Sequence, residues 1–324
     1  MMRAALVAAT DDPVILGFWL RNFAATVGPD VDELLLAING PHADDVARTL
    51  APPGCSLTVL TWPGRRDHGW CLRQLYDATD AGSLLFLETD AWFRQAGVAG
   101  AWFDAIGSGA ADVIGSPRHP ASQALVSAAE SRWGVLTAGE DTGTALWPCF
   151  LTASRAALDG TDRMFGARAY PARTLVPGLD MSFPEATTDE TLVGVSWQLR
   201  DARARIRLIP QHRVARGSSC RPEDSAWFHV GGLSTAPGMA WGEIDEAAME
   251  ALRGVPEDEM ARRCALWTMI GGHSDATEQD VFLDALQGAI EGIGTPVALV
   301  EGWLAYYRPW FQRLDDPTRS IVAP

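Results

Sequence analysis

The chain has 324 residues, of which 47% are hydrophobic and 21% charged, so it has the composition of a globular protein with a substantial core. Its formal net charge of -15 disfavours nucleic acid as a partner, although a bound divalent cation would still allow a nucleotide ligand. All 26 basic residues are arginine, which excludes lysine Schiff-base chemistry and any P-loop that needs its lysine.

The first two thirds of the chain alternate short apolar runs with helical patterns. The runs predict strands at 4–10, 34–39, 56–60, 84–87, 113–115, 147–151 and 207–209. Apolar residues at spacings of three and four predict helices at 13–27, 69–79 and about 188–203. Because strands that alternate with helices form parallel crossover units, we expect an α/β fold: a Rossmann-like, mostly parallel sheet with helices on both faces.

The later part of the chain changes character. Residues 155–184 are interrupted by several Gly and Pro residues. This pattern predicts an irregular, mobile segment near an active site. Beyond residue 232 the patterns are helical, at 244–252, 257–270, 278–290 and 296–311. We therefore predict a catalytic domain at 1–234 and a helical C-terminal extension at 235–324.

The cysteines and the hydropathy of the chain indicate the cellular compartment in which the protein is expected. The five cysteines are scattered and form no CxxC pair, which favours reduced thiols over a disulfide framework or a structural zinc site. The apolar run at 4–9 is too short for a secretory signal, and no stretch approaches the ~18 apolar residues of a membrane span. The expected location is cytoplasmic, without a membrane span.

Carboxylates follow the strand predicted at 84–87. Ligands of such sheets bind beyond the carboxyl ends of the strands, so Glu88 and Asp90 are placed to meet one. Mg²⁺ or Mn²⁺ held by carboxylates and phosphate oxygens would neutralise a departing diphosphate. The alternative interpretation is that Asp90 caps a following helix.

The order and spacing of these motifs resemble those of GT-A glycosyltransferases, in particular family 2. The resemblance covers about residues 3–232 and is carried by Thr10-Asp11-Asp12, Leu20-Arg21-Asn22-Phe23, the stretch 67–76 and the stretch 84–90, an ExD form of the family's DxD motif. It implies a GT-A fold and transfer of a sugar from a nucleoside diphosphate sugar, UDP-sugar favoured, to a hydroxyl-bearing small molecule or glycan.

The resemblance also implies the residues of the donor site. Those expected to bind the donor are Thr10, Asp11, Asn39, Asp67, Arg73, Glu88 and Asp90. Asp90 matches the last DxD position and is the expected main ligand of Mn²⁺ or Mg²⁺, whereas Glu88 departs from the pattern and is a further candidate. His229 fits a family position that completes the metal shell; the alternative is a buried core histidine.

A second acidic signal lies in the stretch 187–194. An inverting transfer needs a base that takes the proton of the acceptor hydroxyl. The stretch resembles the acidic pair that opens a helix in this family, with Glu190 at the base position and Asp189 as the alternative. The competing interpretation is that Thr188 caps the helix and that the two acids favour its dipole.

Other functions fit the sequence less well. A nucleotidyltransferase usually carries a glycine-rich phosphate loop after its first strand, where this chain has Thr10-Asp11-Asp12-Pro13. A nicotinamide dehydrogenase would need a GxGxxG motif after an early strand, and none is present. A sugar-nucleotide-binding scaffold without turnover remains an alternative, although it would not need Glu88, Asp90 and Glu190 together.

Overall fold

The structure, a computed structural model, describes residues 1–211 and 226–229 except Asp12, His42, Ala51, Arg65, Asp90, Arg94 and Ala121. The chain divides into two compact units. The first comprises Met1–Asp11, Phe23–Glu88 and Gln95–Gln211, and the second comprises Asp12–Asn22, Thr89–Arg94 and His212–Pro324. The predicted helical extension at 235–324 lies outside the described residues, so the predicted domain boundary stays a prediction.

The helices and strands alternate along most of the described chain. In order they are β1 (Arg3–Thr10), α1 (Pro13–Thr26), β2 (Glu33–Asn39), α2 (Ala43–Thr49), β3 (Ser56–Trp62), α3 (His68–Asp77), β4 (Ser83–Glu88), β5 (Ala91–Phe93), α4 (Val98–Gly107), β6 (Val113–Arg118) and α5 (Gln123–Trp133). They continue with β7 (Leu136–Ala138), β8 (Asp141–Gly143), β9 (Ala145–Ser154), α6 (Arg155–Asp159), β10 (Ala169–Tyr170), β11 (Leu175–Val176), β12 (Met181–Ser182), β13 (Thr187–Thr188), α7 (Val193–Asp201), β14 (Ile206–Leu208) and β15 (Trp227–His229).

Seven strands form the main sheet of the first unit, in the order β14-β6-β9-β4-β1-β2-β3. β9 runs antiparallel to both of its neighbours, β4 and β6, and the other neighbouring strands pair in parallel. The predicted α/β class with a mostly parallel sheet is therefore confirmed. Because β4 and β6 are both antiparallel to β9, their carboxyl ends lie at the same edge of the sheet.

Both faces of this sheet are buried under helices. One face forms a cluster with α3 and α7 that includes Leu6, Phe86, Leu151, Cys71, Leu72, Leu75, Tyr76, Val195 and Leu199. Phe150 precedes Leu151 in β9 and therefore points to the opposite face. There it packs edge-on against Trp102 of α4, with ring centroids 6.3 Å apart. The two-sided burial explains why the strands are continuous apolar runs.

The helix predicted at 188–203 begins later than expected. α7 starts at Val193, and Thr187–Thr188 instead pair with Ala169–Tyr170 as the short strands β13 and β10. Asp189 holds the stretch extended, because its carboxylate accepts hydrogen bonds from the backbone of Arg168 and the hydroxyl of Tyr170. The prediction that Thr188 caps this helix is wrong for the same reason.

The segment at 155–184 contains more regular secondary structure than its Gly and Pro residues predicted. It contains the helix α6 and the strands β10, β11 and β12; β11 pairs with β12, and β10 pairs with β13, which follows the segment. Arg155, the first residue of α6, donates hydrogen bonds to the carbonyls of Tyr76, Thr79 and Ala81, at 3.2, 2.6 and 2.8 Å. This side chain therefore ties α6 to the loop that leaves α3.

We expect Arg155→Met to lower the free energy of unfolding by about 2–4 kcal/mol, because three carbonyls would lose a charged donor. Urea unfolding measures the change. Arg48→Met is the matched control: within the described part of the chain Arg48 pairs with Asp45 on an exposed helix surface, so the expected cost is below about 0.5 kcal/mol. Equal losses in the two variants would contradict the anchoring role of Arg155.

The second unit is described in three short segments. β5 pairs antiparallel with β15. The indole nitrogen of Trp19 donates to the carbonyl of Ala91 at 3.0 Å, and the Asn22 amide exchanges two hydrogen bonds with the backbone of Phe93. Asn22, part of the motif at 20–23, therefore fixes β5. No helix in the part of the chain that the structure describes is long and apolar enough to cross a membrane.

Candidate active site

The carboxyl ends of the first strands meet at one edge of the sheet. The parallel register places Thr10 of β1 beside Asn39 of β2, and Asn39 beside Trp62 of β3. Glu88, the last residue of β4, lies beside Ala8 of β1. The structure therefore brings together the strand ends from which the sequence predicted a ligand site.

Asn39 holds this edge together, and Asp11 lies beside it. The Asn39 amide donates to the carbonyl of Ala9 at 3.3 Å and accepts the thiol of Cys71, also at 3.3 Å. Gly40 has a φ of +145°, and a Cβ added there would lie 2.1 Å from the Asp11 carboxylate. Asn39 is thus a structural residue of the edge, while the half-buried Asp11 carboxylate packs over Gly40.

Asp67 and Arg73 have structural partners at α3. The Asp67 carboxylate caps the helix by accepting a hydrogen bond from the backbone of Trp70 at 2.9 Å. The Arg73 guanidinium donates to Asp77 at 2.6 Å and to the carbonyl of Arg163 at 3.2 Å. Both side chains, predicted to bind the donor, therefore stabilise α3 in this structure.

An imidazole and a carboxylate approach each other at the end of β4. His68, the first residue of α3, places Nδ1 3.6 Å from Oε1 of Glu88. The two side chains are 30% and 21% exposed, so both remain accessible to a ligand.

Aromatic rings flank the edge at β3. Trp62 and Trp70 meet edge to face with centroids 4.9 Å apart, and the Arg66 guanidinium lies 5.4 Å from the centre of the Trp70 ring. Trp70 is 38% exposed. A large exposed aromatic ring of this kind can stack on a nucleobase or a sugar.

A cluster at the end of β6 contains a residue that the sequence analysis missed, Arg118. It consists of Arg118, Trp147 and Glu190, and we call it the Arg118 cluster. The guanidinium of Arg118 lies 4.2 Å from the centre of the Trp147 ring and forms an ion pair with the Glu190 carboxylate. Arg118 ends a buried strand, as Glu88 does. Its position at a strand end was the feature of the sequence that could have identified it as a site residue.

Asp189, the alternative base, is buried beside Glu190. Only 3% of the residue is exposed, and its carboxylate accepts hydrogen bonds from Tyr170 Oη at 2.6 Å and from the Arg168 backbone at 2.7 Å. Burial raises the pKa of the Asp189 carboxyl above its ordinary value, although these hydrogen bonds and the Arg168 charge oppose the shift. Asp189 therefore stabilises the loop before α7.

The raised pKa of Asp189 predicts a pH dependence of stability. Its stabilising contribution is complete below the unfolded-state pKa of about 3.9 and is lost as the pH rises through the folded-state pKa. The free energy of unfolding of the wild type, relative to Asp189→Asn, should therefore fall as the pH rises from about 4 through the folded-state pKa. Urea unfolding across this range measures the difference.

Tyr170→Phe provides the control for this pH dependence. The Tyr170 hydroxyl favours the ionised form of Asp189, so its removal should raise the folded-state pKa further. Measured in the Tyr170→Phe background, the same comparison should give a larger fall that extends to higher pH. A difference that stays constant with pH, or that grows as the pH rises, would contradict the raised pKa.

Two further residues of α7, Trp197 and Arg200, have structural roles. Trp197 is fully buried. The Arg200 guanidinium donates to the carbonyls of Thr144, Trp133 and Gly134, at 2.8, 2.9 and 3.0 Å. Arg200 thus anchors α7 to the segment that leads into β9.

The backbone of the second unit bears on the metal prediction. β15 runs beside β5 in a register that pairs His229 with Ala91, the residue that follows Asp90 in the sequence. Asp90 lies outside the described residues, but the strand that follows it does not support the alternative that it caps a helix. Across the residues that the structure describes, no three His, Cys, Asp or Glu side chains are grouped as a metal site.

In an α/β sheet of this kind, ligands bind beyond the carboxyl ends of the parallel strands. No family model matches the chain, and no curated protein is similar in sequence. Similar solved structures include the mannosyltransferase PcManGT from Pyrobaculum calidifontis in complex with GDP-Man and Mn²⁺, at 13% identity and a TM-score of 0.43, covering 97% of this chain and 84% of that one.

Two further structures are similar at the same level. Glucosyl-3-phosphoglycerate synthase from Mycobacterium tuberculosis, in complex with phosphoglyceric acid, is 14% identical with a TM-score of 0.39 over 64% of this chain and 69% of that one. S. aureus TarS 1–349, in complex with UDP-GlcNAc, is 11% identical with a TM-score of 0.43 over 97% and 87%. At such identities, the function has to be argued from the residues of this chain.

Proposed function

We propose that the chain is a metal-dependent GT-A glycosyltransferase that moves a sugar from a nucleoside diphosphate sugar to a hydroxyl group, with inversion at the anomeric carbon. The observation that carries this proposal is a row of carboxylates along the ligand-binding edge of the sheet. Asp11 follows β1, Glu88 ends β4, and Glu190 pairs with the residue that ends β6. Within this row, Asp11 would contact the sugar donor, Glu88 would contact the cation, and Glu190 would act as the general base.

The donor nucleoside would lie over the ends of β1, β2 and β3. Asp11 is the foremost candidate to bind it, because its half-buried carboxylate lies at the edge itself. Asn39, Asp67 and Arg73 make structural hydrogen bonds, so any contact of theirs with the donor would be additional. Thr10, at the end of β1, is the remaining proposed contact.

Asp90, His229 and Glu88 are the proposed ligands of Mn²⁺ or Mg²⁺. Carboxylate oxygens suit both ions, and imidazole is a common ligand of transition metals. The register places His229 beside Ala91, so the backbone at His229 runs next to the strand that follows Asp90 in the sequence. When bound, the cation would supply positive charge to the departing diphosphate.

Glu190 is the proposed general base. It is 35% exposed, whereas Asp189 is buried and hydrogen-bonded on both carboxylate oxygens. A base must come within hydrogen-bond reach of the acceptor hydroxyl, and only the more exposed carboxylate meets this requirement. Its position in the loop before α7, instead of within the helix, keeps it at the edge of the sheet.

A thermal-shift screen of UDP-, GDP- and dTDP-sugars, with Mn²⁺ or with EDTA, tests the proposal. One nucleotide class should raise Tm by about 5 °C at 100 times its Kd, since such binding adds about 2.7 kcal/mol of stability. The increase should vanish in EDTA. Stabilisation by nucleoside triphosphates alone would instead favour a nucleotidyltransferase, and no response to any nucleotide would contradict the proposal.

A further inference from the structure

Arg118 is held in place by its backbone and by its side chain. Its carbonyl oxygen accepts a hydrogen bond from the backbone of Thr144 at 2.9 Å, and a Cβ placed on Gly143 would lie 2.1 Å from the same oxygen. Its guanidinium covers the Trp147 ring and pairs with Glu190. The guanidinium is therefore fixed in position before any ligand arrives.

The ion pair is open to exchange. The side chains of Arg118 and Glu190 are 15% and 35% exposed, so a solute can reach both. Because Arg118 is mostly buried, its guanidinium needs an anionic partner, and an incoming anion that replaces Glu190 would keep it paired while the more exposed Glu190 meets solvent. The planar guanidinium matches the oxygen geometry of carboxylates and phosphates.

The position of Arg118 indicates which substrate the anion belongs to. β9 separates β6 from β4, so these two strands lie about 10 Å apart at the usual spacing, and Arg118 pairs with Ala145 of β9, beyond the point where the pairing of β4 with β9 ends at Phe150. The residues proposed to bind the nucleoside lie on the other side of β4, over β1, β2 and β3. Arg118 therefore lies on the side of β4 away from the proposed nucleoside site, where the acceptor would bind.

We infer that Arg118 binds an anionic acceptor, and that a carboxylate or phosphate group of the acceptor replaces Glu190 as the partner of the guanidinium. This inference rests on the proposed function. The exchange frees Glu190 at the moment the acceptor is bound. Glu190 then takes the hydroxyl proton as the acceptor oxygen bonds to the anomeric carbon, and the nucleoside diphosphate leaves with the electrons of the broken bond.

Anion titrations without donor test the inference, in EDTA and at constant ionic strength. The probes are inorganic phosphate, glycerol phosphate, glycerate and glycerol, followed by thermal shift and by tryptophan fluorescence. We expect saturable binding of the anions but not of glycerol. Arg118→Gln should weaken anion binding at least about tenfold, and Glu190→Gln should tighten it about fivefold, because the internal competitor is gone.

The chain contains a matched control for this exchange. Arg132 also lies over a tryptophan, with its guanidinium 5.2 Å from the centre of the Trp133 ring, and pairs with Asp201 at 2.6 Å. Asp201→Asn should leave the anion affinity unchanged. Tightening in Asp201→Asn equal to that in Glu190→Gln would show a general charge effect and would overturn the assignment to Arg118.

Three other results would overturn the inference. They are unchanged anion affinity in a folded Arg118→Gln variant, unchanged affinity in Glu190→Gln, and competition between UDP and phosphate in EDTA, which would assign the site to the donor. The anion titrations need neither donor nor cation. Their outcome is therefore independent of the test of the proposed glycosyltransferase function. Glu190→Gln keeps the test decisive if Arg118→Gln does not fold.

Discussion

Glu190→Gln is expected to lower the rate of sugar transfer by about 10²–10⁴-fold, the usual contribution of a general base. Glutamine keeps the length and the hydrogen-bonding reach of the side chain but cannot accept the proton of the acceptor hydroxyl. Binding of donor and metal should be unchanged, because Glu190 lies two strands from the end of β4. Transfer rates with saturating donor, together with donor Kd values, measure both parts.

Asp189→Asn is the discriminating comparison for Glu190→Gln. Asp189 is buried behind Glu190, and its carboxylate is occupied by Tyr170 and the Arg168 backbone. Its substitution should act mainly on stability and cost far less in rate. A dead Asp189→Asn with a normal Glu190→Gln would assign the base to Asp189. Near-normal rates in both would remove the support for an inverting mechanism from this loop.

Asp90→Asn is expected to weaken metal-dependent binding of the nucleoside diphosphate by at least about 100-fold, because a neutral amide would replace the proposed main anionic ligand of the cation. The fold should remain intact. Calorimetric titration with UDP or GDP, with and without Mn²⁺, measures the loss. Asp80→Asn is the control, since Asp80 is an exposed carboxylate before β4 and should leave binding unchanged.

Unchanged metal dependence in Asp90→Asn would contradict the assignment of this ligand. His229 has its own test in a structure with nucleotide and Mn²⁺ bound. An imidazole nitrogen near the ~2.0–2.3 Å typical of transition-metal ligation would support it as a ligand. A nitrogen well beyond that distance, with no bridging water, would remove His229 from the metal shell.

The sheet was predictable from sequence because its central strands are buried on both faces. Runs such as 34–38 and 84–87 are continuously apolar, and such a run fixes where a strand is. It carries no information about direction, however. The antiparallel course of β9 between β4 and β6 therefore could not be read from its residues, since it depends on pairing with distant partners.

The candidate site was predictable only in part, and the two misplacements have physical causes. The strand predicted at 113–115 continues to Arg118, through Ser116 and Pro117, so the polar residue at its true end was overlooked. The acidic stretch before α7 has the composition of a helix start, but tertiary hydrogen bonds to Asp189 keep it extended. Long-range contacts decided both positions, and a local pattern cannot include them.

Release of nucleoside diphosphate from the donor that stabilises the protein tests the central claim most directly. The donor is incubated with Mn²⁺ and a panel of hydroxyl-bearing acceptors, anionic and neutral, and the released nucleotide is measured together with the glycosylated product. The account predicts Mn²⁺-dependent release that is matched one to one by product and is abolished by EDTA. Donor binding without any release, across the whole panel, would identify a binding scaffold and contradict the account.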